Sequence, residues 1–189
     1  MAILLIDNFD SFTYNIYHYL LQCGQDCRMM RNTGPVLEEL STGKYSGIVF
    51  SPGPMRPDNH PIVREVIRKY HLDVPMLGIC LGHQAIGEFF GAELTKAPVP
   101  VHGKVSVIHH TGHPMFQDVP KSVQVARYHS LLLKDIEKTS LTITATTDDG
   151  LPMSLAHKGL PVWGMQFHPE AIQTEYGQQM LKNWTSIFS

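Results

Sequence analysis

Pro75-Met76-Leu77-Gly78-Ile79-Cys80-Leu81-Gly82-His83-Gln84-Ala85-Ile86 decides the fold. An apolar run ends on a cysteine, and a helix-forming segment follows. Glycines stand two residues before and two residues after that cysteine. This is the G-x-nucleophile-x-G elbow, with cysteine in place of serine. A sharp strand-to-helix turn strains the central residue, and side chains on either side would clash, hence Gly78 and Gly82. The turn also sets Cys80 at a helix N-terminus, where the dipole and free N–H groups favour thiolate over thiol. The N–H of Leu81 then points to where an oxyanion would form. Without the flanking glycines, Cys80 reads equally well as a small buried hydrophobe.

Working outward, residues 2–6 form a buried strand and residues 11–23 a helix. Asp10 or Ser11 caps that helix, and Gly24 stands just past its end. Residues 25–31 and 47–50 are further strands, the latter closed by Ser51-Pro52-Gly53-Pro54. Ile62, Val63, Val66, Ile67 and Tyr70 repeat with a 3.6 period and mark a helix over 60–70. Residues 74–79 form a strand and 83–90 a helix stopped by Gly91. This rhythm predicts an α/β protein, doubly wound, with a mostly parallel sheet flanked by helices. The second half reads differently. Residues 105–109, 123–128, 141–147, 153–157 and 162–167 are strand-like with little helix between them. They predict hairpins or an extra small antiparallel sheet, some strands joining the main one, before a last helix over 175–188.

Composition sets bounds on function. The chain has 189 residues, enough for one sizeable core, and residues 1–189 are read as one domain. Lys plus Arg is 15 and Asp plus Glu is 17, so no basic excess favours a nucleic-acid backbone. The three cysteines, Cys23, Cys27 and Cys80, form no C-x-x-C pair, which argues against a disulfide scaffold. Cys23 and Cys27 are expected to be buried and inert. No apolar stretch is long enough for a membrane helix, and no basic residue precedes the first apolar run. The reading is a soluble cytoplasmic chain.

A thiolate nucleophile in acyl transfer needs a base and an orienter. Among eleven histidines, His168 stands out, in Phe167-His168-Pro169-Glu170 at the end of an apolar run. In an extended segment, residues i and i+2 share a face, so His168 and Glu170 can meet there. A carboxylate beside an imidazole fixes its tautomer and favours its charged form. Taken alone, this is a surface loop with an incidental His and Glu. With the elbow cysteine and the α/β rhythm it is a catalytic constellation.

Gly78-Ile79-Cys80-Leu81-Gly82-His83-Gln84 and Gly164-Met165-Gln166-Phe167-His168-Pro169-Glu170 together resemble the class I (triad) glutamine amidotransferases. More narrowly, four segments resemble component II of anthranilate synthase and 4-amino-4-deoxychorismate synthase. They are Leu5 to Thr13, Ser51-Pro52-Gly53-Pro54, His102-Gly103-Lys104 and Arg127-Tyr128-His129-Ser130-Leu131. The resemblance implies a glutaminase that feeds ammonia to a chorismate-using synthase subunit. It implies Cys80 as nucleophile, His168 as base and acid, and Glu170 as orienter. It places the oxyanion hole at Leu81 and Gly53, and L-glutamine against Gly53, Pro54, Met55, Gln84, Ser130 and Leu131. Ser11, Phe12, His102, Lys104 and Tyr128 are implied to face the synthase subunit. No cofactor is implied for this chain. Many relatives read Gly-Pro-Gly where this chain has Gly53-Pro54-Met55, which tilts the reading towards the aminodeoxychorismate branch. Ala171 stands where a serine usually follows the glutamate.

Two other functions compete. A free-standing cysteine amidase on γ-glutamyl substrates would need no partner, and the narrow motif set argues against it. A catalytically silent binding or regulatory subunit would have no use for Cys80, His168 and Glu170 together. His109-His110-Thr111-Gly112-His113 invites a zinc reading, but its spacing matches no known ligand pattern and a solvated, hydrogen-bonding loop is favoured.

Overall fold

The computed structural model describes residues 1–188. Its strands are β1 (Ala2–Asp7), β2 (Cys27–Arg31), β3 (Tyr45–Phe50), β4 (Met76–Ile79), β5 (Glu93–Lys96), β6 (Lys104–His110), β7 (Ser122–Arg127), β8 (Leu131–Lys134), β9 (Leu141–Thr147), β10 (Pro152–His157) and β11 (Val162–Met165). Its α-helices are α1 (Thr13–Gln22), α2 (Val36–Leu40), α3 (Pro61–Tyr70), α4 (Leu81–Phe89) and α5 (Gly177–Thr185). Among the described residues, one 9-stranded sheet runs β2-β1-β3-β4-β11-β10-β9-β6-β7. The ladders from β2 to β11 are parallel. Those from β11 to β7 are antiparallel. A separate 2-stranded antiparallel sheet pairs β5 with β8.

Burial explains the sequence patterns. β4 lies between two parallel neighbours and is buried at every position, so it reads as an unbroken apolar run. Along β1, Ile3 and Leu5 join one core while Leu4 and Ile6 join the other. That alternation follows from the period of two along a strand. Helices α1 and α5 supply Ile16, Leu20, Met180, Leu181 and Trp184 to the first core. Helices α2, α3 and α4 supply Val36, Leu40, Val63, Val66, Ile67, Ala85 and Ile86 to the second. Each large side chain buried this way contributes about 1.5–3 kcal/mol.

The strand order also locates the site. From β1 the chain first builds outward to β2, then crosses back to β3 on the other side of β1. The loops leaving β1 and β3 therefore diverge, which opens a crevice at the carboxyl ends of the strands. The elbow after β4 lies beside it.

Several boundaries differ from the sequence reading. Helix α1 begins at Thr13, and its N-cap residue Phe12 makes no side-chain cap. Two aspartates instead take up N–H groups of the loop before the helix, and the Thr13 N–H bonds Asp10 O at 3.3 Å. Asp10 Oδ1 accepts from the Phe12 N–H at 2.8 Å, and Asp7 Oδ1 accepts from Phe9, Asp10 and the Thr13 hydroxyl. Gly24, at φ +80, ends the helix as expected. Helix α2 and strands β5 and β8 carry too few residues to show a period. The late strands mostly extend the main sheet, and only β8 among them enters the small one.

Candidate active site

Cys80 sits at φ 50 and ψ −98, a left-handed conformation that costs a non-glycine residue about 1–3 kcal/mol. Only tightly packed surroundings hold it there. A Cβ on Gly78 would collide with the backbone of Gly82, and one on Gly82 would lie 2.6 Å from Phe50 Cβ. The Cys80 N–H donates to Met165 O at 2.8 Å, which ties the elbow to the end of β11. Leu81 is the first residue of α4, so its N–H has no carbonyl within the helix to bond.

His168 arrives from that same strand end. β11 stops at Met165, and residues 166–170 bend and turn instead of running on extended. The backbone of His168 is pinned on both sides. Its N–H donates to Ala126 O at 3.0 Å, and the Thr174 hydroxyl donates to its carbonyl at 2.6 Å. Its Nδ1 lies 2.6 Å from Glu170 Oε1, with both side chains shut off from water. A carboxylate only accepts, so Nδ1 carries the hydrogen. Burial works against protonating His168. The nearness of Cys80, the hydrogen bond to Glu170 and the carboxylate charge outweigh it and hold the imidazole well above its ordinary value. His168 Nε2 makes no hydrogen bond of aligned geometry, although Cys80 is close enough to act on the ring. We take the thiol and imidazole as poised and not yet joined, since such bonds often tighten only with substrate.

The other residues singled out in the sequence fall around this centre. A Cβ on Gly53 would lie 2.7 Å from Asn8 Cβ and 3.2 Å from Leu81 Cδ1, so the Gly53 backbone rests against the elbow. Pro54 and Met55 are exposed, and Met55 is held at φ 66. A methionine in that conformation carries strain that glycine would not. Gln84 Nε2 donates to Gln166 Oε1 at 3.2 Å and lies 3.5 Å from Leu131 O. Ser130 is exposed, and its carbonyl accepts from the Ala97 N–H at 2.8 Å.

Tyr128 stacks edge-on against His168, with centroids 5.0 Å apart. Phe12 and His102 meet the same tyrosine ring at 5.8 and 5.4 Å. Ser11 and Lys104, both exposed, flank this aromatic group in sequence.

Some site residues escaped the sequence reading. Gln166 is fully buried, and its Nε2 donates to Cys80 Sγ at 3.6 Å. Its signal was a polar residue at the end of an apolar strand, two before His168. Arg127 Nε donates to His129 Nε2 at 3.1 Å, so His129 turns its Nδ1–H to Leu131 O at 3.0 Å. Burial and the Arg127 charge push His129 down to about 4 and keep it neutral.

Other expectations land elsewhere. His109 bonds Ser122 and Asp148, His110 stacks on Phe116 at 4.6 Å, and His113 accepts from the Met115 N–H. The described residues hold no cluster of three metal-ligating groups. Cys23 and Cys27 are half-buried, not buried as expected; Cys27 lies at the rim of the first core, and Cys23 at the end of α1. Burial nonetheless pushes the Cys27 thiol up to about 12. No helix among the described residues is long and apolar enough to cross a membrane.

A doubly wound sheet with a cysteine on a strained strand-to-helix elbow defines the class, an elbow-type α/β protein. The profile of the family "Glutamine amidotransferase class-I" matches residues 4–187. The chain is 45% identical over 184 residues to anthranilate synthase component 2 of Azospirillum brasilense, covering 96% of this chain and 94% of that one. It is 38% identical to aminodeoxychorismate/anthranilate synthase component 2 of Bacillus subtilis, over 98% and 96% of the two chains. Its fold superposes with a TM-score of 0.87 on a provisionally assigned GMP synthase component from Thermoplasma acidophilum, 26% identical, over 99% and 93% of the two chains. The chain belongs to the class-I glutamine amidotransferases and is an enzyme of that family.

Proposed function

We propose that residues 1–189 form one glutaminase domain, the amide-splitting subunit of a cytoplasmic two-component synthase that uses chorismate. The observation that carries this reading is that the elbow of Cys80, tied to Met165 O at 2.8 Å, and the buried His168–Glu170 pair at 2.6 Å stand at the end of one strand.

The chemistry follows from those positions. Cys80 Sγ, its proton already held by His168, attacks the side-chain amide carbon of L-glutamine as a thiolate. Negative charge gathers on the amide oxygen, where the N–H groups of Leu81 and Gly53 stabilise it. His168 returns the proton to the departing nitrogen, the C–N bond breaks and ammonia leaves. A glutamyl thioester remains on Cys80. Water, deprotonated by His168, cleaves it to glutamate and regenerates the thiol. Glu170 keeps the imidazole in one tautomer and supports its charge through both transfers.

Gln84, Ser130, Leu131, Pro54 and Met55 border the glutamine. The face carrying Ser11, Phe12, His102, Lys104 and Tyr128 receives the synthase subunit, which closes the site so that ammonia reaches chorismate without loss to water. The product is 4-amino-4-deoxychorismate, and anthranilate as well where one subunit serves both synthases. Relatives named for one or both products match the chain at comparable identity.

The test is Cys80→Ala, assayed with the chorismate-using partner. Glutamine-dependent amination should vanish while ammonia-dependent amination by the partner survives. Retained glutamine dependence in that variant refutes the reading. Full glutamine turnover by the isolated wild-type chain would favour the free-standing amidase.

A further inference from the structure

We infer that His60 is a positioning residue for the oxyanion loop, acting through a buried relay that also contains Asn8 and Asn32. The inference rests on the glutaminase reading above. His60 lies immediately before α3, Asn8 just past β1 and Asn32 just past β2. All three are buried, and they converge on residues 51–54, the loop that carries Gly53.

The direction of every bond in the relay is fixed. Asn8 Nδ2 donates to Ser51 O at 2.8 Å, which leaves Asn8 Oδ1 as an acceptor. Asn32 Nδ2 donates to that oxygen at 2.8 Å. The same Asn32 nitrogen lies 3.0 Å from His60 Nδ1 and has one hydrogen left to give. His60 Nδ1 is therefore an acceptor, and the ring hydrogen of the neutral imidazole is on Nε2. That nitrogen lies 2.9 Å from Pro54 O and donates to it. Flipping Asn32 would set its oxygen against Asn8 Oδ1, so only one arrangement satisfies the chain. Its one loose end is Asn32 Oδ1, buried without a hydrogen-bond partner.

The relay grips the loop at two points, Ser51 O and Pro54 O, on either side of Gly53. The Asn8 N–H adds a third bond, to Ser51 Oγ at 2.8 Å. None of these bonds takes the Gly53 N–H. Asn8 and Leu81 meanwhile close the space beside Gly53, where a Cβ would lie 2.7 Å from Asn8 Cβ. Carbonyls held on both sides fix the peptide planes between them, and with them the aim of the Gly53 N–H. An oxyanion donor must be fixed before charge develops, and a displacement of about 1 Å can cost about 100-fold in rate. His60 touches no reacting atom, so its effect passes through Pro54 and Gly53.

The test compares His60→Gln with His60→Asn in the full chain, together with the chorismate-using partner. Glutamine at 60 reaches as far as Nε2 and can still donate to Pro54 O. Asparagine stops at the position of Nδ1 and cannot. Two reactions of Cys80 are read. Hydrolysis of L-glutamine needs the oxyanion hole, and alkylation by iodoacetamide does not. H60Q should keep kcat within about 3-fold of wild type, and H60N should lose about 10–100-fold in kcat with little change in KM. Both should alkylate at Cys80 at the wild-type rate. Equal kcat in the two variants overturns the inference, as does a parallel fall in hydrolysis and alkylation. If the wild-type complex fails to hydrolyse glutamine at all, the glutaminase reading falls first and this inference with it.

Discussion

His168 Nδ1 and Glu170 Oε1 lie 2.6 Å apart in the interior, although only Pro169 separates the two residues in sequence. Burial alone would favour the neutral imidazole there. The charged form is held instead, because the carboxylate and the thiol both favour it.

Glu170→Gln removes that charge but keeps the shape. Burial then acts on His168 against Cys80 alone and pulls its proton affinity down. The sign follows directly. In the wild type His168 is raised above 6.5, so its imidazole stays protonated through neutral pH and loses the proton only as pH climbs to its folded value. The stability linked to it is present below 6.5 and fades over the same rise. E170Q should lower kcat by about 100–10,000-fold and move the alkaline limb of the kcat profile to lower pH. A profile with an unmoved alkaline limb would remove Glu170 from this role.

Gln166→Leu deletes the amide that donates to Cys80 Sγ at 3.6 Å and accepts from Gln84 at 3.2 Å. Hydrogen bonding to an anion favours it, so sulfur loses support as its charge develops. Gln84 loses the partner that fixes its orientation. The expected result is about 10-fold slower alkylation of Cys80 by iodoacetamide, from about 1.4 kcal/mol of lost stabilisation. Glutamine turnover should fall at least as far, and unchanged alkylation would show that the contact is packing alone.

Gly82→Ala tests the elbow as a structural unit. The new methyl would meet Phe50 Cβ at 2.6 Å and Phe50 O at 2.7 Å, neither of which is a flexible side-chain end. β3 or α4 must shift, which costs about 1–3 kcal/mol. Urea unfolding should report that loss, and glutamine turnover should fall further than stability because Cys80 moves with the helix. A stability within about 0.5 kcal/mol of wild type would mean that the strand and helix are less tightly packed than the geometry requires.

The elbow was legible because its glycines, its strand and its helix are contiguous in sequence. The parallel half of the sheet was legible for the same reason, since its strands alternate with helices of clear period. Gln166, His60, Asn32 and Arg127 were not legible. Each is a polar residue buried by partners far away in the chain, and no local pattern marks such a meeting. The short elements failed differently. Five residues in α2, or four in β5 and β8, do not complete enough of a period to register. The turn at 166–170 replaced an expected extended segment, yet His168 and Glu170 still met, because their proximity needs only the short spacing between them.

Tyr128→Ala probes the link between the proposed partner face and the Cys80–His168 centre. The Tyr128 ring lies 5.0 Å from His168 and 5.4 and 5.8 Å from His102 and Phe12, and the Phe12 ring itself reaches His168 at 6.2 Å. If the synthase subunit presses on this face, Tyr128 is the nearer of two rings, with Phe12, through which it reaches the imidazole. Its removal opens a gap beside His168 while leaving the bond to Glu170 in place. The isolated chain should therefore lose only about 2–3-fold in glutamine turnover, since aromatic pairs of this kind contribute about 0.5–1.5 kcal/mol. The stimulation by partner should fall by about 10-fold or more, because the contact that transmits it is gone. Titrating the partner against glutamine turnover separates the two effects. A variant that binds and responds to its partner as the wild type does would place the docking surface away from Tyr128.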